Sequence, residues 1–190
     1  MAKDNVFILR ELDKFASITD LINAQKLSLE NKVLEQKVIE ANYYISKQLE
    51  IPLATKLFYL SKLRIVEGIP RSIEKTYIEY EKVKGMESID LNNVSFYAAL
   101  EKLTGIKTIK NQEEMLIVEA NEEECELLNL DCGDEVLLLK GITYKDEDKP
   151  FEYFEITSLP SFYRFRSVSN LWVNKQLYIN NWWIVSKRKS

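Results

Sequence analysis

Residues 57–80 read LFYLSKLRIVEGIPRSIEKTYIEY, and this stretch decides the fold. Its two halves, 57–66 and 69–80, are rich in Ile, Val, Tyr, Phe and Thr, the residues that are enriched in β-strands. Glu67-Gly68 lies between them and Pro70 follows closely, so the chain is expected to turn back there. The stretch therefore predicts a long β-hairpin, which Lys84-Gly85 closes.

Helices and further strands are predicted on both sides of this hairpin. Residues 95–103 predict a helix, because Phe96, Leu100 and Leu103 recur at helical spacing and Gly105 follows them. Runs at 136–144 and 151–157 predict a second hairpin over a polar turn at 145–150. The hairpins and helices together indicate an α+β fold with a mostly antiparallel sheet and flanking helices. The other predicted elements are a helix opened by Ser17, a strand at 33–39, a helix at 41–49, a strand at 115–119, and a helix from Asn121 that Gly133-Asp134 ends.

The composition indicates a globular chain with a substantial core. Of its 190 residues, 46% are hydrophobic and 11% are aromatic, which argues against wholesale disorder. The net charge of −4 does not provide the dense cationic face that nucleic-acid binding needs. The sequence has no apolar run of about 18 residues, no signal-peptide pattern, and no zinc spacing at Cys125 and Cys132. We therefore expect a cytoplasmic protein with reduced thiols and no membrane contact.

The sequence contains no histidine, which excludes a Ser-His-Asp triad, a Cys-His pair and any histidine metal site. It also removes the side chain that most often transfers protons near neutral pH. We therefore expect no catalytic residues, no cofactor and no metal site.

The two ends of the chain differ from its middle. Residues 1–15 have no clear period and are predicted to be a linker or leader. Residues 168–190 hold all three tryptophans, Trp172, Trp182 and Trp183. This aromatic-rich extension either adds a hairpin around Asn180-Asn181, packs into the core, or forms an interface patch.

Between these ends, short motifs follow one another in a characteristic order. They are Lys62-Leu63-Arg64, Gly68-Ile69-Pro70, Glu74-Lys75-Thr76-Tyr77, Asp90-Leu91, Ser95-Phe96-Tyr97-Ala98-Ala99-Leu100, Leu127-Leu128 with Gly133 and Val136-Leu137-Leu138-Leu139, Lys149-Pro150-Phe151-Glu152-Tyr153, and Tyr163-Arg164-Phe165. No single motif is specific, and the order and spacing carry the signal. In that order and spacing, the chain from Phe15 to Phe165 resembles the UTRA domain, the effector-binding module of HutC-type regulators in the GntR superfamily.

The resemblance implies a fold similar to that of chorismate lyase, a homodimer formed through the sensor, and a small cytoplasmic metabolite as the signal. Full-length members begin with a winged helix-turn-helix. The resemblance therefore implies that residues 16–167 are the sensor without its DNA-binding head, and that DNA is bound only through that missing domain. The chain departs from the family at Lys62, where arginine is usual, at Ser161, where Asp is frequent, and near Ser158, where an aromatic residue is frequent. Lys62 weakens a clamp of two arginines, and the other two positions lie close to the expected ligand site.

Seven side chains are candidates for binding the effector: Lys62, Arg64, Glu74, Ser95, Tyr97, Glu152 and Tyr163. Arg64 lies in an apolar strand, where a guanidinium needs an anion. That anion is either a phosphate or carboxylate of the effector, or an internal carboxylate such as Glu74 or Glu152. Ser95 begins a helix, where it offers free N–H groups and a hydroxyl to an anion or simply caps the helix.

The remaining candidates also have two interpretations each. Tyr97 either offers a stacking face and a hydroxyl to the effector or packs in the core. Glu74 and Glu152 either accept hydrogen bonds from sugar hydroxyls or an amine, or are surface residues of the sheet. Lys62 adds a mobile point charge to the site, and Tyr163 is a candidate because of the resemblance to the family.

We expect a ligand-responsive dimerisation module and not an enzyme. Its small-molecule effector is predicted to be a charged, hydroxylated metabolite such as a sugar phosphate or an acidic sugar. Two alternatives from other classes remain open. One is a lyase-like enzyme of the same fold that acts on a small aromatic acid, and the other is an interaction module that uses the tryptophan-rich tail.

Overall fold

The computed structural model of the chain describes residues 6–12, 17–92, 94–146 and 149–168. Within these ranges lie eight strands and four α-helices. The strands are β1 (Ile8–Glu11), β2 (Leu29–Glu40), β3 (Lys56–Val66), β4 (Ile69–Glu79), β5 (Lys110–Glu119), β6 (Glu135–Tyr144), β7 (Pro150–Ser158) and β8 (Tyr163–Arg166). The helices are α1 (Ile18–Ala24), α2 (Tyr43–Leu49), α3 (Phe96–Thr104) and α4 (Glu122–Leu128).

Six strands form one sheet in the order β2-β3-β4-β7-β6-β5, and every neighbouring pair is antiparallel. The hairpin predicted at 57–80 is β3–β4, and the second predicted hairpin is β6–β7. A second, two-stranded sheet pairs β1 with β8 in parallel, with Ile8 opposite Tyr163. The α+β fold with a mostly antiparallel sheet is therefore confirmed.

Helices cover both faces of the large sheet, because neighbouring residues of a strand point to opposite faces. On one face, α2 packs near Leu57 and α4 packs near Leu63. The other face carries two separate apolar clusters. One cluster gathers under α3 around Phe58 and Leu60, and the other gathers under α1, β1 and β8 around Leu139 and Ile156.

The helices begin and end at residues suited to capping. The Ser17 hydroxyl accepts from the Asp20 N–H at 3.1 Å, as the sequence predicted for α1. Asn121 and Glu124 form a complete capping box at the start of α4. Gly105 ends α3 in the left-handed conformation, with φ of 71°. No helix in the described part of the chain is long and apolar enough to cross a membrane.

Several element boundaries differ from the sequence-based expectation. The strands expected at 33–39 and 115–119 are longer, Leu29–Glu40 and Lys110–Glu119, because pairing along β3 and β6 extends past their apolar stretches. The helix from Asn121 ends at Leu128 and does not reach Gly133-Asp134, because Asn129 adopts a left-handed conformation, with φ of 55°.

The segment read as a linker, 1–15, contains β1. Ile8 of this strand is fully buried in the cluster under α1. A strand of four residues is too short to show a period in sequence. The predictions for Trp172, Trp182, Trp183 and the turn at Asn180-Asn181 lie outside the described residues.

Candidate functional site

A belt of polar side chains crosses the sheet between the two apolar clusters. Its members all point to the face that α1 and α3 cover, since side chains alternate along each strand and these lie on the same face as Phe58 and Leu60. All of them are buried, although such strand positions are normally apolar in a core. We call this group the polar belt: Lys62, Arg64, Glu74, Thr76, Thr143 and Glu152.

Arg64 and Glu74 form the central ion pair of the polar belt. The Arg64 Nε donates to Glu74 Oε2 at 3.1 Å, and the Arg64 Nη2 contacts the same oxygen. The Arg64 Nη1 donates to the Thr19 hydroxyl of α1 and to the Asn31 amide oxygen of β2, each at 3.1 Å. Burial disfavours charge on Glu74, but Arg64 and Lys62 outweigh it and hold the pKa of Glu74 below its usual value. Of the two anions open to Arg64, the internal carboxylate is therefore bound in this structure.

Lys62 is only 1% exposed, which corrects the expectation that it is a mobile charge. Its Nζ lies 4.0 Å from Glu74 Oε2 and 5.9 Å from the ring centroid of Phe96. Among the described residues, this ammonium has no hydrogen-bond partner. Burial lowers the pKa of Lys62 to about 8, and the charge of Glu74 opposes this effect. A buried ammonium without a hydrogen bond is costly and is therefore a ready partner for an anion.

Glu152 lies at the other end of the polar belt and accepts hydrogen bonds from three hydroxyls. Thr143 donates at 2.6 Å and Tyr97 at 2.8 Å to Oε2, and Thr76 donates at 3.2 Å to Oε1. Burial raises the pKa of Glu152 to about 7, although the hydrogen bonds from Thr143 and Tyr97 act in the opposite direction. Glu152 is therefore a carboxyl group that can gain or lose a proton near neutrality.

The start of α3 brings Tyr97 to the polar belt. The half-buried Tyr97 donates its hydroxyl to Glu152, and burial raises the pKa of this tyrosine. Ser95 occupies the N-cap position of α3, but its side chain makes no capping hydrogen bond. The hydroxyl of Ser95 is thus not needed to cap the helix, and no described contact joins it to the polar belt.

A small cavity of about 30 Å³ lies beside the polar belt. Its lining combines groups from the large sheet, from α3, from β1 and from the start of α1: Arg10, Ser17, Ile18, Glu74, Tyr97, Asn111, Phe154 and Ile156. Tyr163, from β8, is 5% exposed. Burial raises the pKa of Tyr163, and the positive charges of Arg64 and Arg10 lower it. Tyr163 therefore lies within electrostatic reach of both arginines.

The polar belt offers hydrogen-bond acceptors, hydroxyl donors and buried cations to a small molecule. Six of the seven predicted residues, all except Ser95, are joined to it or lie within electrostatic reach of it. In the described ranges, no group of three or more Cys, Asp and Glu side chains is arranged to hold a metal ion. The arrangement therefore suits recognition of a polar ligand through charge and hydrogen bonds.

Sequence reasoning missed several members of the site. Thr76 and Thr143 were available from strand alternation, because Thr76 is two residues from Glu74 and Thr143 lies opposite Glu152 in the second hairpin. Asn31 was not identified, because its strand shows no regular alternation of apolar and polar residues. Thr19 and Arg10 carried no signal, because their approach to the site depends on how α1 and β1 pack against the sheet.

Comparison with known proteins gives the same picture of the fold. A family model described as the UTRA domain matches residues 24–164. The effector domain of PhnF from Mycobacterium smegmatis superposes with a TM-score of 0.77 at 19% identity, covering 86% of this chain and 99% of that one. This likeness shows the chorismate-lyase-like fold that the sequence resemblance implied.

Two curated relatives are transcription regulators. The chain is 24% identical over 141 residues to the HTH-type transcriptional regulator GmuR of Bacillus subtilis (strain 168). It is 21% identical over 141 residues to the probable fructoselysine utilization operon transcriptional repressor of Shigella flexneri. Each match covers 74% of this chain and 58% of the relative. The chain thus spans little more than half the length of the regulators that it matches.

Proposed function

This chain belongs to the UTRA domain family, and from that premise we propose that it is the effector-sensing domain of a bacterial transcription regulator. The proposed effector is a small anionic, hydroxylated metabolite bound beside the polar belt. Occupancy of that site alters how a separate DNA-binding domain holds its operator. The chain itself is not an enzyme and does not bind duplex DNA specifically.

The observation that carries this proposal is the burial of two cations and two carboxylates in the middle of an apolar sheet face. Lys62, Arg64, Glu74 and Glu152 are all at most 8% exposed. Burying such groups costs stability unless they are paired, and apolar residues of similar size would serve packing as well or better. A site that must recognise a charged ligand gives a reason to keep them.

The chemistry of the polar belt favours a ligand that carries both an anion and hydroxyl groups. Arg64 and Lys62 match a phosphate or carboxylate, and both already lie beside the carboxylate of Glu74. Glu152 and Tyr97 are placed to exchange hydrogen bonds with hydroxyl groups. The relative named for fructoselysine utilization is consistent with a sugar-derived ligand, and the proposal takes a sugar phosphate or acidic sugar as the effector class.

Three further properties belong to the proposal. The domain forms a homodimer, it works in the cytoplasm, and it needs no cofactor. The lyase alternative gains no support, since the curated relatives are transcription regulators.

Native mass spectrometry of the freshly purified protein, before and after denaturation, tests the proposed effector class. We expect a carried-over acidic metabolite whose removal lowers the melting temperature and whose return restores it. A panel of hexose phosphates and sugar acids, each compared with its uncharged parent sugar, then defines the class. If no acidic or phosphorylated compound stabilises the protein while an uncharged one does, the anionic class is wrong.

A further inference from the structure

Arg10 reaches into the site from β1, outside the residues that match the family model. It lines the small cavity together with Glu74, Tyr97 and Asn111. Its side chain is 10% exposed, and its Nη2 lies 2.8 Å from Glu113 Oε2. Within the described residues, Glu113 is the one carboxylate that pairs with Arg10. The site therefore contains a second arginine–glutamate pair besides Arg64–Glu74.

Arg10 is better placed than Arg64 to meet an incoming anion. Arg64 contacts Glu74, Thr19 and Asn31, and it does not line the cavity. Lys62 lies against Glu74 and Phe96 and does not line the cavity either. Among the residues that line the cavity, Arg10 is the one with a positive charge. Its planar guanidinium suits two-point binding of a phosphate or carboxylate.

The cavity is small compared with a metabolite. About 30 Å³ holds one or two water molecules, far less than a sugar phosphate needs. The sheet side of the cavity is fixed by long antiparallel pairings, with β4 and β7 paired over seven positions. The opposite side is held by β1, which pairs with β8 over four positions. Among the strands that line the cavity, β1, which carries Arg10, therefore has the fewest pairings.

We propose that Arg10 is an effector-binding residue that exchanges Glu113 for an anionic group of the ligand, and that this exchange couples occupancy of the site to the position of β1. The inference rests on the proposed function and adds a residue and a route of regulation to it. The Arg10–Glu113 pair neutralises both groups and holds β1 close to β5. In the bound state, the ligand anion replaces Glu113, and β1 moves with Arg10.

Two variants that remove the same ion pair from opposite sides distinguish this role from a structural one. Arg10→Gln removes the proposed ligand group, whereas Glu113→Gln removes its internal competitor. Both variants lose the Arg10–Glu113 pair, so a structural effect changes them in the same direction. An effect on ligand binding changes them in opposite directions.

The probe is inorganic phosphate, titrated into the full chain at constant ionic strength with chloride as the control anion. We expect Arg10→Gln to bind phosphate about tenfold more weakly than wild type, and Glu113→Gln to bind it several-fold more tightly. Phosphate is also expected to change amide hydrogen exchange at residues 8–12 in wild type and in Glu113→Gln, but not in Arg10→Gln.

Three results would overturn the inference. Equal phosphate affinity in wild type and Arg10→Gln would show that Arg10 is not a ligand group. A similar loss of affinity in both variants would make the Arg10–Glu113 pair structural. If phosphate binds to neither wild type nor Glu113→Gln, Arg10 does not bind an anion. In each of these three cases, the proposed function would still hold if a sugar phosphate from the metabolite panel stabilised the protein.

Discussion

Glu152 brings burial and charge into direct conflict inside the polar belt. The side chain is 1% exposed, and the negative charge of Glu74 opposes its ionisation. Three hydroxyls donate to its carboxylate, and this partly compensates for the lost water. Because the pKa of Glu152 rises to about 7, the folded protein keeps a proton there that the unfolded chain releases at lower pH.

This proton predicts how Glu152→Gln changes the pH dependence of stability. Between pH 4.5, the ordinary pKa of the group, and about 7, the native state binds more protons at this site than the unfolded state. Wild type therefore loses stability relative to the variant as the pH rises through this window, by a total on the order of 3 kcal/mol. Urea unfolding at several pH values measures the difference, and Glu119→Gln at an exposed position controls for net charge. A difference that stays constant from pH 4 to 8 would contradict the prediction.

The individual residues of the site were only partly accessible from sequence. Arg64 in an apolar strand was a strong signal, because a guanidinium there requires an anion, and the structure supplies Glu74. The burial of Lys62 could not be anticipated, because it depends on α3 placing Phe96 over the strand. Arg10 could not be found at all, since its position follows from the pairing of β1 with a strand more than 150 residues later.

Among the elements, β5 depends on a close approach to β6 at Gly141. A Cβ at this position would collide with the carbonyl oxygen of Gln112 and lie 2.9 Å from the Cα of Glu113 and 3.0 Å from the Phe154 ring. β5 also carries Asn111 and Glu113, which lie beside Arg10. The absence of a side chain at Gly141 therefore positions one wall of the candidate site.

Gly141→Ala is expected to destabilise the protein by about 1–3 kcal/mol, because backbone rather than a flexible side chain must shift to accept the methyl group. The shift should also lengthen the Arg10–Glu113 contact and speed amide exchange along β5. Denaturant unfolding and hydrogen exchange measure both effects, and Glu114→Ala, at an exposed position on the same strand, is the control. A variant as stable as wild type would show that β5 adjusts without cost.

The elements themselves were largely predictable. The β3–β4 and β6–β7 hairpins carry apolar and β-branched runs bounded by turn residues, and their register follows from those turns. Asn121 correctly marked the start of α4. The end of the helix was predicted too late, because a glycine was expected in the left-handed conformation that ends it, and Asn129 adopts that conformation instead. The full lengths of β2 and β5 were not visible because most of their outer residues are polar and show no apolar period.

For the whole molecule, two arginine–glutamate pairs meet at one site between separate apolar clusters. Arg64–Glu74 links the sheet to α1 through Thr19, and Arg10–Glu113 links β1 to β5. We propose that a ligand anion that competes for either arginine acts on β1 or α1. A population shift between free and bound arrangements of these elements is the proposed output.

The assembly of the molecule is a separate prediction. β5 is an edge strand of the described sheet, and its Met115 and Ile117 are exposed. An unpaired edge with exposed apolar side chains favours association with another chain. We expect light scattering at micromolar concentration to give a mass of twice the 22.3 kDa chain. A mass of one chain at all concentrations up to the micromolar range would contradict the homodimer.

The central claim is that the polar belt binds an anionic effector. Isothermal titration calorimetry tests it most directly. The panel compound that stabilises the protein most is titrated into wild type and into Arg64→Ala. Removing one partner of a buried charged contact typically costs about 2–5 kcal/mol, so we expect Arg64→Ala to bind more weakly by that amount while remaining folded. Lys102→Ala on α3 serves as the charge-matched control and should bind as wild type does. A folded Arg64→Ala variant that binds as tightly as wild type would contradict the account and leave Arg64 as the structural partner of Glu74.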